Sequence, residues 1–265
     1  MTTATLTRGQ PHDLLPLFQV EALRKQFISA LLIISIGASL YGFSVGFWRS
    51  PEMAIYVAFK TPLLLFSTLL ITGFLNGVLG LLFGTGLGFR QSLLCQLLTF
   101  SVAAIVLGSL APLTFFLALE APSAGEAGAT NAHAFYPLIH TAIVGGAGIV
   151  AVVRLFALLR HLTPHFSAAR LTFLSWLVSN ALVGSQLSYL MRPFFGSPGL
   201  KVELLRPDPF NGTFFNAVWR ALTHLLPTPL AFFSLFLLLL GALVTLNRFL
   251  HPKNKNHSNS TTTNQ

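Results

Sequence analysis

The sequence predicts an all-α fold: a polytopic membrane bundle of six transmembrane helices with one or two interfacial helices. Three observations carry that reading. Six apolar runs, at 27–48, 61–83, 93–119, 137–159, 171–191 and 229–250, are each about as long as the ~20 residues a helix needs to cross a bilayer. Charged residues are 9% of the chain and hydrophobic ones 53%, with 25 Phe among 265 residues, against about 25% charged residues in soluble domains. Mean hydropathy is +0.71, so lipid is the solvent in which most of the chain folds.

Segment 1–26 is polar at first. It then places Leu14, Leu15, Leu17, Phe18, Val20 and Leu23 around Pro16, a spacing that predicts a short helix lying at the interface and feeding the first span. The first run is too long for the 7–15-residue apolar core of a signal peptide, so it reads as retained. It contains Gly42 and Gly46, a GxxxG pair suited to close helix approach. The second run opens beside Lys60 and Pro62. It carries Gly73, Gly77, Gly80, Gly84 and Gly88, which at 100° per residue share one helix face. Packing within the chain is the first expectation for both glycine faces, and contact with a second copy is the alternative.

The third run holds Cys95 and ends before Glu120; the fourth holds His140 and Arg154; the fifth holds Asn180 and Gln186. Segment 192–228 follows. Pro193, Pro198, Pro207 and Pro209 interrupt helix there, yet it is rich in Phe and Leu. Residues 214–226 predict an amphipathic helix with Trp219 at headgroup depth, and a re-entrant element is the alternative. After the sixth run, tail 251–265 has no apolar residue and reads as disordered.

Six crossings put both termini on one side. That side carries Arg8, Arg24, Lys25, Arg90, Arg160, Arg170, Arg248, Lys253 and Lys255; the other carries Arg49, Lys60, Arg192, Lys201, Arg206 and Arg220. Connection 121–135 has no Lys or Arg. The positive-inside rule therefore assigns both termini, and the domains 1–26 and 251–265, to the cytoplasm. The sequons at Asn256 and Asn259 then face away from glycosylation.

Several chemistries are disfavoured. The formal charge of +9 lies beside the apolar runs, where it reads as topology signal and headgroup contact, and no nucleic-acid-binding motif is present. A single cysteine cannot form an internal disulfide. His161 and His165 flank Pro164 without a third ligand, so no metal or cofactor is expected. No Asp or Glu lies in the core of a run, which counts against ion-coupled transport through a buried carboxylate. Polar residues at membrane depth remain as candidates: Lys60, Asn76, His140, Asn180 and Gln186. The expectation for Lys60 and Arg154 is snorkelling to the nearby interface. For Asn76, Asn180 and Gln186 it is hydrogen bonding between helices, and for His140 an interfacial position.

Five strings in order carry a resemblance: Tyr41-Gly42-Phe43-Ser44-Val45-Gly46, Lys60-Thr61-Pro62-Leu63-Leu64-Leu65, Asn76-Gly77-Val78-Leu79-Gly80, Ser109-Leu110-Ala111-Pro112, and Arg192-Pro193-Phe194-Phe195-Gly196-Ser197-Pro198. Together they resemble a group of uncharacterised polytopic inner-membrane proteins of bacteria whose architecture is similar to Yip1-type helical bundles. The resemblance implies the bacterial cytoplasmic membrane and supplies no catalytic residue.

The resulting expectation is a non-enzymatic membrane organiser or interaction scaffold. It would present Arg192, Pro193, Gly196, Ser197, Pro198, Lys201 and Arg206 to a lipid or to another membrane protein, with a homo-oligomer as a further option. The alternative is a transporter or channel for a small solute or lipid, using Lys60, Asn76, Asn180 and Gln186 along its path.

Overall fold

The computed structural model describes residues 18, 20–123, 126, 128–196, 199–225, 227–230, 232–234, 236–237, 240–241 and 244. Among the described residues the continuous helices are α1 (Val20–Phe47), α2 (Pro51–Leu82), α3 (Phe89–Glu120), α4 (Ala129–Leu162), α5 (Phe166–Leu190) and α6 (Phe214–Leu225). Among the described residues, five are long and apolar enough to cross a membrane, within α1 to α5. Their outward surfaces carry large apolar side chains, including Phe59, Leu70, Phe74, Leu82 and Ile149, each more than 60% exposed. A helix that is apolar on its outer face as well as its inner one belongs in lipid. The protein is a multi-pass membrane protein.

The helices start earlier than the apolar runs suggest. Ser50 caps α2 by accepting from Met53 N at 3.1 Å, with Pro51 in the first turn and Glu52 beside it. All three are helix-start signals. Lys60 and Pro62 consequently lie inside a 32-residue helix, about 48 Å long at 1.5 Å per residue, rather than at its edge. Likewise α1 runs back to Val20 and takes in Leu23, Arg24 and Gln26. Val20 and Leu23, expected in a separate interfacial helix, are thus continuous with the span; the earlier residues of that expected helix lie outside the described residues apart from Phe18, as do Asn256, Asn259 and the tail.

α2 ends in a Schellman turn. Thr85 N bonds Gly80 O at 3.2 Å, Gly84 N bonds Leu81 O at 3.1 Å, and Gly84 sits at φ 71°. The five-glycine face is therefore corrected to three. Gly73, Gly77 and Gly80 are helical, whereas Gly84 and Gly88 belong to the turn before α3. An added Cβ at Gly77 would lie 2.5 Å from the Phe89 ring, and one at Gly73 3.0 Å from Leu93, both on α3. Gly42 and Gly46 press α1 onto α2: a Cβ at Gly46 would lie 2.5 Å from Met53 O and 2.8 Å from Ala54 Cα. A close approach of α1 to α3, at Gly37, Ala104 and Gly108, was not singled out from the sequence.

The chain divides into two units, 1–217 and 218–265. The first holds the five long helices, and its core runs from Ala30, Ile34, Leu97 and Ala104 to Tyr41, Val45, Met53, Val57, Leu107 and Ala147. In the second, the Trp219 and Phe232 rings pack tilted at 51°, 4.5 Å between centroids. The described part of run 229–250 is helical, but most of that run, including its far end, lies outside the described residues. The predicted helix at 214–226 is present as α6, with a strong apolar face.

Candidate functional site

The segment following α5 closes one end of the five-helix bundle. Phe194, Phe195 and Val202 pack against Tyr41, Val45, Met53 and Val57. Phe195 also packs with Trp48, Ala118 and Tyr136. Its ring meets Tyr136 edge-on at 6.0 Å and His140 at 5.5 Å. Two apolar side chains thereby plug the gap between α1, α2, α3 and α4. An X-Pro-Phe-Phe-Gly sequence suits this: Pro193 terminates the helix and Gly196, at φ 66°, turns the chain back. The Arg192–Pro193 peptide is cis.

Cations pin the plug. Lys60 is 3% exposed, and its Nζ donates to Pro193 O at 2.7 Å while lying 5.7 Å from the Phe194 ring centre. Snorkelling is thus corrected: the buried ammonium is held by a backbone carbonyl of the plug. Arg49 Nη2 donates to Leu200 O at 3.0 Å, and its stem fills the space where a Gly196 side chain would stand, 2.7 Å from an added Cβ. Arg192 donates from Nη1 to Tyr189 O and Pro209 O, and from Nη2 to Asp208 O and Asn211 O, at 3.0 to 3.4 Å. It also stacks 3.8 Å from the Tyr189 ring centre. The guanidinium is committed to carbonyls of its own segment.

Of the predicted docking residues, then, Arg192, Pro193 and Gly196 build the plug. Lys201 is exposed, and Arg206 is 3.6 Å from Glu203. Ser197 and Pro198 lie outside the described residues. The outward face of the segment mixes polar residues such as Lys201, Asp208 and Asn211 with large apolar ones: Leu200, Leu204 and Leu205 are about half exposed and Phe210 is 83% exposed.

Beneath the plug lies an aromatic and imidazole cluster. Tyr41 Oη and His140 Nδ1 are 2.8 Å apart, and the Tyr136 and His140 rings are 4.5 Å apart. His140 is 2% exposed. The preceding turns of α4, from Ala129, extend past it and Phe195 covers it.

The other polar candidates sit in a second cluster toward the Gly84 end. Ser179 Oγ donates to Asn76 Oδ1 at 2.6 Å, and Asn76 Nδ2 donates to Gln96 Oε1 at 2.8 Å. Trp176 Nε1 donates to Asn76 O at 2.7 Å. One turn along, Thr72 Oγ1 donates to Asn180 Oδ1 at 2.6 Å. Asn76 and Asn180 thus bond between helices as expected. Gln186 instead borders a shallow apolar groove with Ile71, Leu182, Val183 and Leu187. Sequence reasoning missed Gln96, Trp176, Ser179, Arg49 and Tyr136. Gln96 did offer a signal, as an amide inside an apolar run like Asn76, and Trp176 as a polar-tipped aromatic inside one.

Among the described residues no three of His, Cys, Asp and Glu come together. Comparison with family models, curated proteins and solved structures gives no match.

Proposed function

We propose that this chain is a non-enzymatic interaction protein of a bacterial cytoplasmic membrane, with both termini in the cytoplasm and the plug segment on the opposite side. The observation that carries the reading is the plug. A segment tethered by Lys60, Arg49 and Arg192 holds Leu200, Leu204, Leu205 and Phe210 outward. Large apolar side chains held on a fixed loop form a docking surface at low ordering cost. Their apolar chemistry suits the juxtamembrane part of another membrane protein. The resemblance to Yip1-like bundles agrees with this role.

The transport reading has less support. Lys60, Asn76, Asn180 and Gln186 do not share one setting: Lys60 holds the plug, Asn76 and Asn180 belong to the hydrogen-bonded cluster toward the Gly84 end, and Gln186 borders an apolar groove. The glycine faces at Gly42, Gly46, Gly73 and Gly77 are occupied by neighbouring helices of the same chain, which leaves them unsuited to a homo-oligomer contact.

A photoreactive side chain at Leu204 or Phe210 should yield discrete protein adducts in native membranes, lost when Arg192 is changed to Ala. Lipid adducts alone, together with solute flux in proteoliposomes, would sink the scaffold reading. Cysteines at Ser123 and Lys201 should label from the periplasmic side; labelling from the cytoplasm only would reverse the orientation.

A further inference from the structure

The plug puts an apolar cover over polar groups that are not fully bonded. The Phe195 ring lies 5.5 Å from that of His140 and 6.0 Å from that of Tyr136. Tyr136 and His140 are one turn apart on α4 and share a face. His140 Nδ1 is bonded to Tyr41 Oη at 2.8 Å. Its other nitrogen, Nε2, is buried with no partner among the described residues, and so is Tyr136 Oη. Arg49 Nε, whose stem packs against Gly196, is a third such atom.

A neutral imidazole carries one N–H; an imidazolium carries two and accepts nothing. With the plug closed, Tyr41 Oη receives one of those two hydrogens and the other has no acceptor. The remaining titratable and charged groups at this end are engaged elsewhere. From α2, Lys60 donates to Pro193 O, and Tyr56 donates to the exposed Glu52. Arg49 and Arg192 donate to carbonyls of the plug, and Arg206 faces Glu203. Thr114 of α3 is bonded to Ser44. Added protons leave the Lys60 and arginine tethers intact, because these groups remain donors.

Lifting the plug changes the position of His140. It lies five residues into the apolar span Phe135–Leu162, about 7.5 Å from the plug end of that span at 1.5 Å per residue. Water reaching that depth gives Nε2–H an acceptor. It also bonds Tyr136 Oη and Arg49 Nε at any pH, so closure always works against the hydration of these atoms. The imidazolium has both hydrogens bonded only when the plug is open, and by linkage acid therefore favours opening. We propose that the plug is a lid on His140 that opens when the imidazole takes up a proton from the plug side of the membrane. On the reading of the plug as a docking surface, acid on that side releases Leu200, Leu204, Leu205 and Phe210 from their fixed positions; the opening itself does not depend on that reading.

Thiol labelling of the purified chain, with no partner present, tests the lid apart from the docking role. Val202→Cys is half-buried in the plug and Lys201→Cys is exposed beside it, so the ratio of their rates cancels the pH dependence of the thiol itself. With a water-soluble methanethiosulfonate, that ratio should rise about tenfold between about pH 8 and about pH 5. Native Cys95, buried in α3, should stay unlabelled at both. His140→Phe keeps a ring but takes up no proton, and should hold the ratio low throughout; His140→Gln takes its place if that variant fails to fold. A flat ratio with His140 present, a rise that persists in a folded His140 variant, or labelling of Cys95 in step with Val202→Cys overturns the proposal.

Discussion

The two ends of the five-helix bundle bury polar groups in opposite ways. At the plug end, a buried ammonium and two guanidinium groups bond backbone carbonyls of the loop that covers them. At the Gly84 end, neutral amides and hydroxyls bond one another across three helices. The first arrangement joins a loop to the bundle; the second joins helix to helix. Carbonyl oxygens are scarce partners inside helices, whose own ladder uses them, so a cation at membrane depth needs an irregular segment brought to it. A neutral amide can be served by side chains on neighbouring helices. Loop capture and a buried lysine therefore belong together here.

Five substitutions break or sharpen this contrast. Lys60→Glu leaves a buried carboxylate facing Pro193 O and should destabilise plug docking by about 3–5 kcal/mol. A cysteine at half-buried Val202 should then react about a hundredfold faster or more, while the Gly84 end keeps its protection. Gly46→Leu drives a side chain into Met53 O and Ala54 and should cost about 1–3 kcal/mol in unfolding from mild detergent. Asn76→Leu removes two side-chain bonds at the neutral end. By the measured worth of interhelical hydrogen bonds it should cost about 1–2 kcal/mol by the same assay, without loosening the plug. Equal loosening of both ends by Asn76→Leu would refute their separation. Tyr136→Phe deletes a buried hydroxyl that has no partner, so its unfolding midpoint should stay level or rise, by at most about 1 kcal/mol. Lys201→Ala, at an exposed position, should change stability by less than about 0.5 kcal/mol.

Particular residues show what was readable beforehand. The helix start at Ser50-Pro51-Glu52 is written locally, but counting apolar residues hid it behind the later run at 61–83. The glycine periodicity was real through Gly80. Periodicity does not mark where a helix stops, and Gly84 at positive φ serves as the stop. Asn76 and Asn180 were correctly expected to bond other helices, because an amide in lipid has no other recourse. Their partners were not legible. Neither was the fate of Lys60, whose acceptor lies 133 residues away in sequence, nor of His140, whose Tyr41 partner lies 99 away.

The sequence by itself determined that lipid is the solvent, that the long elements are helices, and which polar residues lie at membrane depth. Those conclusions are local: a backbone in hydrocarbon must satisfy its own hydrogen bonds within a few residues, and apolar length records it. Only the tertiary structure decided that segment 192–213 folds back as a plug, that Arg192 serves its own loop, and that Gly42 and Gly46 meet α2. Those are choices among partners distant in the chain, made by shape and hydrogen-bond geometry once the helices stand side by side.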